Sequence, residues 1–599
     1  MVETIKHIQD YLKIKEPTIE DDSVIDWQYT SIRCQPSENP NRAAPFNLVL
    51  NPTSEWYLPS RSYIYVEGSL TRADGVTPIA RISPGVYPDF ALINNFFPYL
   101  FSNISYSLSD KEIESIDSPG QACTLYHLLT KDRNFNGLAM GWELDTFDGS
   151  ANTNDVSYFP IKNTYIASDF TAATAATPTR AECLEFCNKF ISEFAHNNTS
   201  IPIPALTQAE LNTVLTATPI TPGMMRHLAD FIVAYMNKYL DAPPVNNIAD
   251  GDVATAITTA AITTMFNTIS KYINTSLSAL LRDTTRYNLG FTKRKNYLFD
   301  PVPNIMLDAN AGKFTFEIPL SFLFNFSEQY DKVIFNCRHA LKFIRQTTYI
   351  PIHKSVYNTT DTALNISDII WYIPIITPSA SIRESLEMNI ANNVKLPIHF
   401  MNRKLDMASI PVGSTNFNTT IYYETGVEKP RYIACAFQVV DTSVPATSND
   451  SRNINYGIFN LCGHVSQPIG NNVAVGVQSI NVLINGKRYI LMDDNNSFGL
   501  NKMARWYHEY RKFKHNYFGV SAEKDMINYQ DFRNLYRIYV IDISKQTESL
   551  LNTGVANVSL QFNFENPIAA NTTVKLFMLS LYDRERILLA DGQRQYVYY

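Results

Sequence analysis

Apolar and polar residues alternate with a period of two at widely separated points of this chain. Phe314, Phe316, Ile318 and Leu320 point one way, and Val558, Leu560, Phe562 and Phe564 point one way against Ser559, Gln561 and Asn563. That period predicts half-buried antiparallel strands. The stretch Val427–Val440, V-E-K-P-R-Y-I-A-C-A-F-Q-V-V, enters a β-branched and aromatic run from a corner fixed by Pro430. An analogous stretch stands 369 positions earlier, where Pro59 and Arg61 precede Tyr63-Ile64-Tyr65-Val66. A second pair keeps the same order at an offset of 376. Asn103–Ile113 and Ser479–Tyr489 each read as strand, two-residue polar turn, strand, with Asn485-Gly486 a strong hairpin signal. Two matched pairs in one order predict two copies of one all-β domain.

Further strands are expected over 62–70, 103–116, 332–345 and 369–376 in the first block. In the second they are expected over 420–424, 431–440, 479–491, 536–543, 555–564 and 573–582. Helical spacing is confined to a few places. Ile5, Ile8 and Leu12 ahead of Pro17 predict a short amphipathic helix, and Gln121–Thr130 another after Pro119-Gly120. Between 131 and 285 the texture turns helical, with stripes at Leu228, Phe231, Ile232, Tyr235 and Tyr239 and at Ile262, Met265, Phe266, Ile269 and Ile273. Those stripes read as the core of an insertion. In the second block, Met503, Trp506, Tyr510 and Phe513 predict a helix that also carries Arg505, Arg511, Lys512 and Lys514. The expected division is an N-terminal arm (1–44), a first β domain (45–390) holding the insertion 131–285, and a second β domain with a C-terminal tail (391–599).

Composition narrows the class. The 599 residues exceed one ordinary core, and 45% hydrophobic against 18% charged residues excludes a disordered chain. The 35 Tyr and 34 Phe favour sheets. A net charge of −7 argues against a sequence-specific nucleic-acid binder, which needs clustered cations. The aromatic and basic run Arg505–His515 is the one local exception, and a solvated helix face explains it more simply. No apolar run spans a bilayer and no export signal opens the chain, so synthesis in the cytosol and reduced, mostly buried thiols are expected for Cys34, Cys123, Cys183, Cys187, Cys337, Cys435 and Cys462. Sequons such as Asn325-Phe-Ser327 and Asn571-Thr-Thr573 carry little weight in that setting.

Catalytic motifs are missing from the sequence. Asn485-Gly-Lys487 lacks the rest of a phosphate loop, and no G-x-S-x-G, H-E-x-x-H or C-x-x-C occurs. Cys183, Cys187 and His196 could give three zinc ligands but no fourth, so buried thiols are the better reading. His339, within I-F-N-C-R-H-A-L-K-F-I-R, reads as a satisfied core or interface histidine. No catalytic, cofactor-binding or metal-ligating residue is assigned.

Several segments carry a family resemblance. Glu428–Ile433 with Phe437-Gln438 resembles the corner and strand of the double jelly-roll major capsid proteins of Polinton-like elements, adintoviruses and, more distantly, virophages. Ile104–Leu108 followed by Glu112–Glu114 and Pro119-Gly120, Lys332–His339, Ile541–Ser549 and Pro567–Thr573 are similar to the same family in the same order. The likeness runs from about 45 to 590 and leaves the insertion largely unmatched. It implies two eight-stranded jelly rolls in tandem and a homotrimer forming a pseudo-hexameric capsomer that tiles an icosahedral virion. Neighbouring trimers, penton and minor capsid proteins would be the partners, with no cofactor and no enzymatic activity. On this reading the insertion is expected to supply much of the contact within the trimer. A rival of another class, a carbohydrate-binding or carbohydrate-cleaving β-sandwich, would need paired carboxylates in an aromatic cleft. Asp493-Asp494 is the candidate pair, though adjacent acids after a strand usually make a solvated turn. A single-barrel penton or minor shell protein is disfavoured by the internal repeat.

Overall fold

A computed structural model describes residues 23–34, 38–79, 90–145, 289–299, 311–346, 351–354, 362–423, 429–441, 476–490, 502–518, 525–534, 536–544, 556–568, 572–590 and 595–598. The first barrel is built from β1 (Val24–Arg33), β2 (Phe46–Leu50), β3 (Tyr63–Arg72), β4 (Phe101–Leu108), β5 (Lys111–Asp117), β6 (Lys313–Pro319), β7 (His339–Arg345) and β8 (Thr362–Pro378). The second is built from β9 (Leu396–Ile410), β10 (Asn416–Tyr423), β11 (Lys429–Asp441), β12 (Val477–Ile484), β13 (Lys487–Ile490), β14 (Tyr539–Asp542), β15 (Ala556–Phe564) and β16 (Thr572–Ala590).

The first barrel's sheets run β1-β8-β3-β6 and β2-β7-β4-β5, all antiparallel. Those of the second run β9-β16-β11-β14 and β10-β15-β12-β13, again antiparallel. Adding eight to each number turns the first pair of sheets into the second. This is jelly-roll wiring, used twice.

Both sequence repeats fall on equivalent strands. Tyr63 and Tyr432 lie in β3 and β11, and the two hairpins are β4-β5 and β12-β13. Their turns share a backbone geometry as well: Ser109 and Asp110 have φ of 46° and 63°, and Asn485 and Gly486 have 49° and 79°. Two successive positive φ values are the type I′ turn, whose twist matches that of the flanking strands.

Burial follows the alternation. Ile64, Val66, Phe316, Ile318 and Trp371 face inward from one sheet of the first barrel, toward Phe46, Leu48, Ile104, Leu341 and Phe343 of the other. The Phe46 and Phe343 rings stack at 5.1 Å. In the second barrel Ile433, Cys435, Phe437 and Leu576 meet Ile480, Val482, Leu560 and Phe562, with the Phe437 and Phe562 rings edge to face at 5.7 Å.

Two expectations change. The arm expected over 1–44 is partly strand, because β1 pairs along β8 from Val24↔Pro378 to Arg33↔Ile370. It was illegible because nearly all of β1 except Ile32 is exposed or half-buried, so no core-facing alternation marks it. Strand β9 was likewise unforeseen. The expected helix over 1–16 and the helical stripes at 228–239 and 262–273 lie outside the described residues.

The insertion belongs to the connection from β5 to β6. Helix α1 (Pro119–Thr130) leads into it and α2 (Leu289–Phe299) leads out. Its two stems meet. Asp145 and Arg294 form a buried ion pair at 2.6 Å, and Arg294 Nε donates to Leu92 O at 2.8 Å. A Cβ on Gly290 would lie 2.2 Å from the Leu144 carbonyl oxygen, so only glycine fits there. Gly290→Ala should lower stability by about 1–3 kcal/mol through this backbone clash. A melting temperature equal to that of the unaltered chain would refute the close approach.

The seam between the two barrels as candidate functional site

Where the barrels meet, polar and charged groups are buried in place of a plain apolar interface. Glu114 on β5 and Arg403 on β9 are both almost fully buried, with Arg403 Nε 3.7 Å from Glu114 Oε1. Glu114 lies in the buried middle of β5, between the exposed Lys111 and Glu112 at one end and the exposed Asp117 at the other. Its carboxylate also accepts from the backbone N–H groups of Asn325 (3.1 Å) and Phe326 (2.9 Å), which open α3 (Asn325–Gln329). Burial pushes the Glu114 carboxyl up, while Arg403 and the two N–H donors pull the other way. Arg403 Nη2 donates to Leu323 O, and its guanidinium sits 5.0 Å from the centre of the Tyr126 ring, a cation–π contact.

Helix α3 also holds the main chain of β9. Asn325 Nδ2 donates to Met401 O at 2.7 Å, and Met401 N donates to Gln329 Oε1 at 2.8 Å. The free edge of β9 is thereby sealed from within the chain, as an exposed strand edge requires.

The second helix at the seam is α4 (Ala504–Phe518), which places Trp506, Tyr510 and Phe513 inward as their spacing predicts. Tyr510 donates from its hydroxyl to Leu128 O of α1 at 2.8 Å. Tyr126 donates to Glu328 at 2.6 Å, Gln329 donates to the Tyr517 hydroxyl at 2.7 Å, and burial pushes the Tyr126, Tyr510 and Tyr517 phenols up. The basic run on α4 is only partly the solvated face expected. Arg505, His508, Lys512 and His515 are exposed, but Lys514 is buried against Asp132 and Arg511 pairs with Asp525 at 2.8 Å. Two of its cations therefore fasten the seam and its surroundings.

Other candidate residues sort as follows. His339 is buried on β7 with Nδ1 2.7 Å from the Tyr106 hydroxyl, among Tyr57, Tyr106 and Trp371, and burial pulls it down to about 3. Cys123, Cys337 and Cys435 are buried thiols and Cys34 is half-buried; none of these four is in a disulfide. Burial pushes the Cys123 and Cys435 thiols up, so they are poor nucleophiles. Asn325 and Ser327 are buried, which makes that sequon unavailable to a glycan. Cys183, Cys187, His196, Asn571 and Asp493-Asp494 lie outside the described residues. Among the described residues no group of three or more His, Cys, Asp or Glu is placed to hold a metal ion, and no helix is long and apolar enough to cross a membrane.

Sequence reasoning missed Glu114 and Arg403 as a pair. Each is one of several charges in a strand that reads as solvent-facing, and only the fold brings them together.

No curated protein matches the sequence. Among solved structures, a chain of the Sputnik virophage particle shares 10% identity, covering 100% of this chain and 93% of that one at a TM-score of 0.45. The Faustovirus major capsid protein shares 9% identity over 98% of this chain and 93% of its own, at 0.43. The mavirus major capsid protein shares 10% over 100% and 96%, at 0.40. The model of the double jelly-roll-like domain matches residues 283–586, from the last three strands of the first barrel through most of the second. With the same strand wiring repeated on either side of one buried seam, the chain belongs to the double jelly-roll-like domain family.

Proposed function

We propose that this chain is a major capsid protein that trimerises into a pseudo-hexameric capsomer and tiles an icosahedral viral shell. The observation that carries the reading is one barrel wiring used twice in one chain across a seam locked by buried polar bonds. Such a unit offers two near-equivalent wedges at a fixed angle, and three copies offer six, which pack hexagonally while the two halves remain free to differ. The sequence resemblance to capsid proteins of Polinton-like elements and adintoviruses and membership of the double jelly-roll-like family support it. Function on this reading is self-association without catalysis. Apolar and aromatic surface is buried inside the trimer, and weaker polar contacts join trimers to one another and to penton and minor proteins in the virion.

Light scattering of the purified chain should give a mass near three times its 68.0 kDa. Negative-stain images should show threefold particles with a hexagonal outline. A stable monomer under mild buffer conditions would overturn the proposal.

A further inference from the structure

The same sheet face is treated differently in the two barrels. Pairing rows fix the equivalence: Tyr63, Tyr372 and Ser31 stand side by side on β3, β8 and β1, as Tyr432, Leu581 and Arg403 do on β11, β16 and β9. Stepping back two residues puts Tyr29, opposite Pro374, where the second barrel has Met401, opposite Asp583. A further two residues put Trp27 where it has His399. In the second barrel this face is covered inside the chain, Arg403 by Glu114 and Tyr126, and the Met401 main chain by α3. In the first barrel it carries Trp27 and Tyr29, 45% and 46% exposed, with Ile25 beside them at 68%. An aromatic ladder continues inward. The rings of Tyr29 and Tyr63 lie 5.4 Å apart, and those of Tyr63 and Tyr372 stack at 5.1 Å.

The edge of β1 repeats the contrast. Pro374 has no N–H and its carbonyl accepts from Leu58 N on the opposite side, so the main-chain N–H and C=O of Tyr29 turn away from β8 toward the free edge. Those are the groups that α3 seals at Met401. Charge is complementary too. The acceptor face bears Glu67 and Glu317. Strand β13, equivalent to the β5 strand that lies against the second barrel, bears exposed Lys487 and Arg488 where β5 has Lys111 and Glu112.

We infer that the outer face of β1-β8-β3 is the seat for the second barrel of another copy of this chain, approached from that copy's β13 side. This rests on the self-association proposed above and assigns it a surface. Each barrel then covers the next in one direction, first on second within a chain and second on first between chains. A contact of that head-to-tail kind makes a ring when its rotation closes, as the proposed trimer requires, and an open filament when it does not. Trp27 and Tyr29 are its aromatic centre, of the sort that dominates binding energy at interfaces.

The test uses the full chain. Trp27→Glu with Tyr29→Glu should reduce the light-scattering mass from that of the oligomer to that of one chain. Tyr422→Glu, at a more exposed tyrosine on β10 of the second barrel, should leave the mass unchanged. Because two new charges on an edge strand could impair folding, a second measurement stands beside it. Equal amounts of light and ¹⁵N-labelled chain, mixed by dissociation and reassembly and joined by a zero-length carbodiimide, should yield mixed-isotope links from Lys487 to Glu67 or Glu317. An oligomeric chain whose mass survives the double substitution, or whose Lys487 links only to other surfaces, overturns this assignment and leaves self-association standing. A chain already monomeric without substitution overturns both.

Discussion

Replacing Arg403 by methionine should destabilise the chain by about 3–5 kcal/mol, because it strands the Glu114 carboxylate in the seam without its cation. The loss is specific to leaving one charge behind. Glu114→Gln combined with Arg403→Met removes both charges and should recover most of it, as buried ion pairs exchanged for neutral groups of similar size often do. Scanning calorimetry would read the difference. The unaltered chain should melt with its barrels coupled, whereas Arg403→Met should shift the transition down and divide it between the barrels. The pH dependence has a definite sign. Burial already raises Glu114, and without Arg403 it rises further, so the penalty is full above that raised value and shrinks as the pH falls through it and the carboxyl becomes neutral. Equal melting temperatures for Arg403→Met and the unaltered chain would show that the pair does not hold the seam.

Acid should act on the first barrel through His339, in the opposite sense. In the unfolded chain this histidine takes up a proton near pH 6.5, while in the barrel burial holds it neutral down to about 3. A group with a depressed folded value contributes its stability above the unfolded value and loses it as the pH falls toward the folded one. At pH 5 the loss from His339 alone is about 2 kcal/mol, taking 1.36 kcal/mol per unit over the interval below 6.5. His127, buried with Nε2 2.9 Å from Phe322 O and its ring stacked on Phe322, is pulled down too and adds to the same trend. His339→Phe should be less stable than the parent by about 1–3 kcal/mol at pH 7.5, since Tyr106 loses its hydrogen-bond partner. That gap should narrow or reverse by pH 5, because phenylalanine takes up no proton. A gap of the same size at both pH values would remove His339 as the source of the acid sensitivity.

Much of the barrel architecture could be read from the chain because inward faces are apolar and outward faces polar in β3, β6, β12 and β15, and because both hairpins need two successive positive φ values that leave a polar signature. The strands that escaped are those in which residue polarity does not match what each face meets. Strand β9 runs Leu-Pro-Ile-His-Phe-Met-Asn-Arg-Lys-Leu-Asp, a sequence with no clean period, since Arg403 is buried outward against the other barrel while His399 is exposed. Strand β1 fails for the converse reason, with aromatic residues on its exposed face. The seam was illegible as a whole. Glu114, Arg403 and Asn325 derive their roles from partners that lie far away in sequence and are adjacent only once both barrels have formed. The helix α4 was legible in its apolar stripe, but not in Lys514, whose charge predicts water and whose place in the fold gives it Asp132.

The clasp formed by Asp145 with Arg294, and by Leu144 against Gly290, has a consequence for how such a chain can change over time. Polypeptide enters and leaves the first barrel at one point, so whatever lies between 146 and 288 is a cassette whose length and content place no strain on strand pairing. Segments could be exchanged there wholesale by recombination while the barrel strands on either side of the clasp stay unaltered.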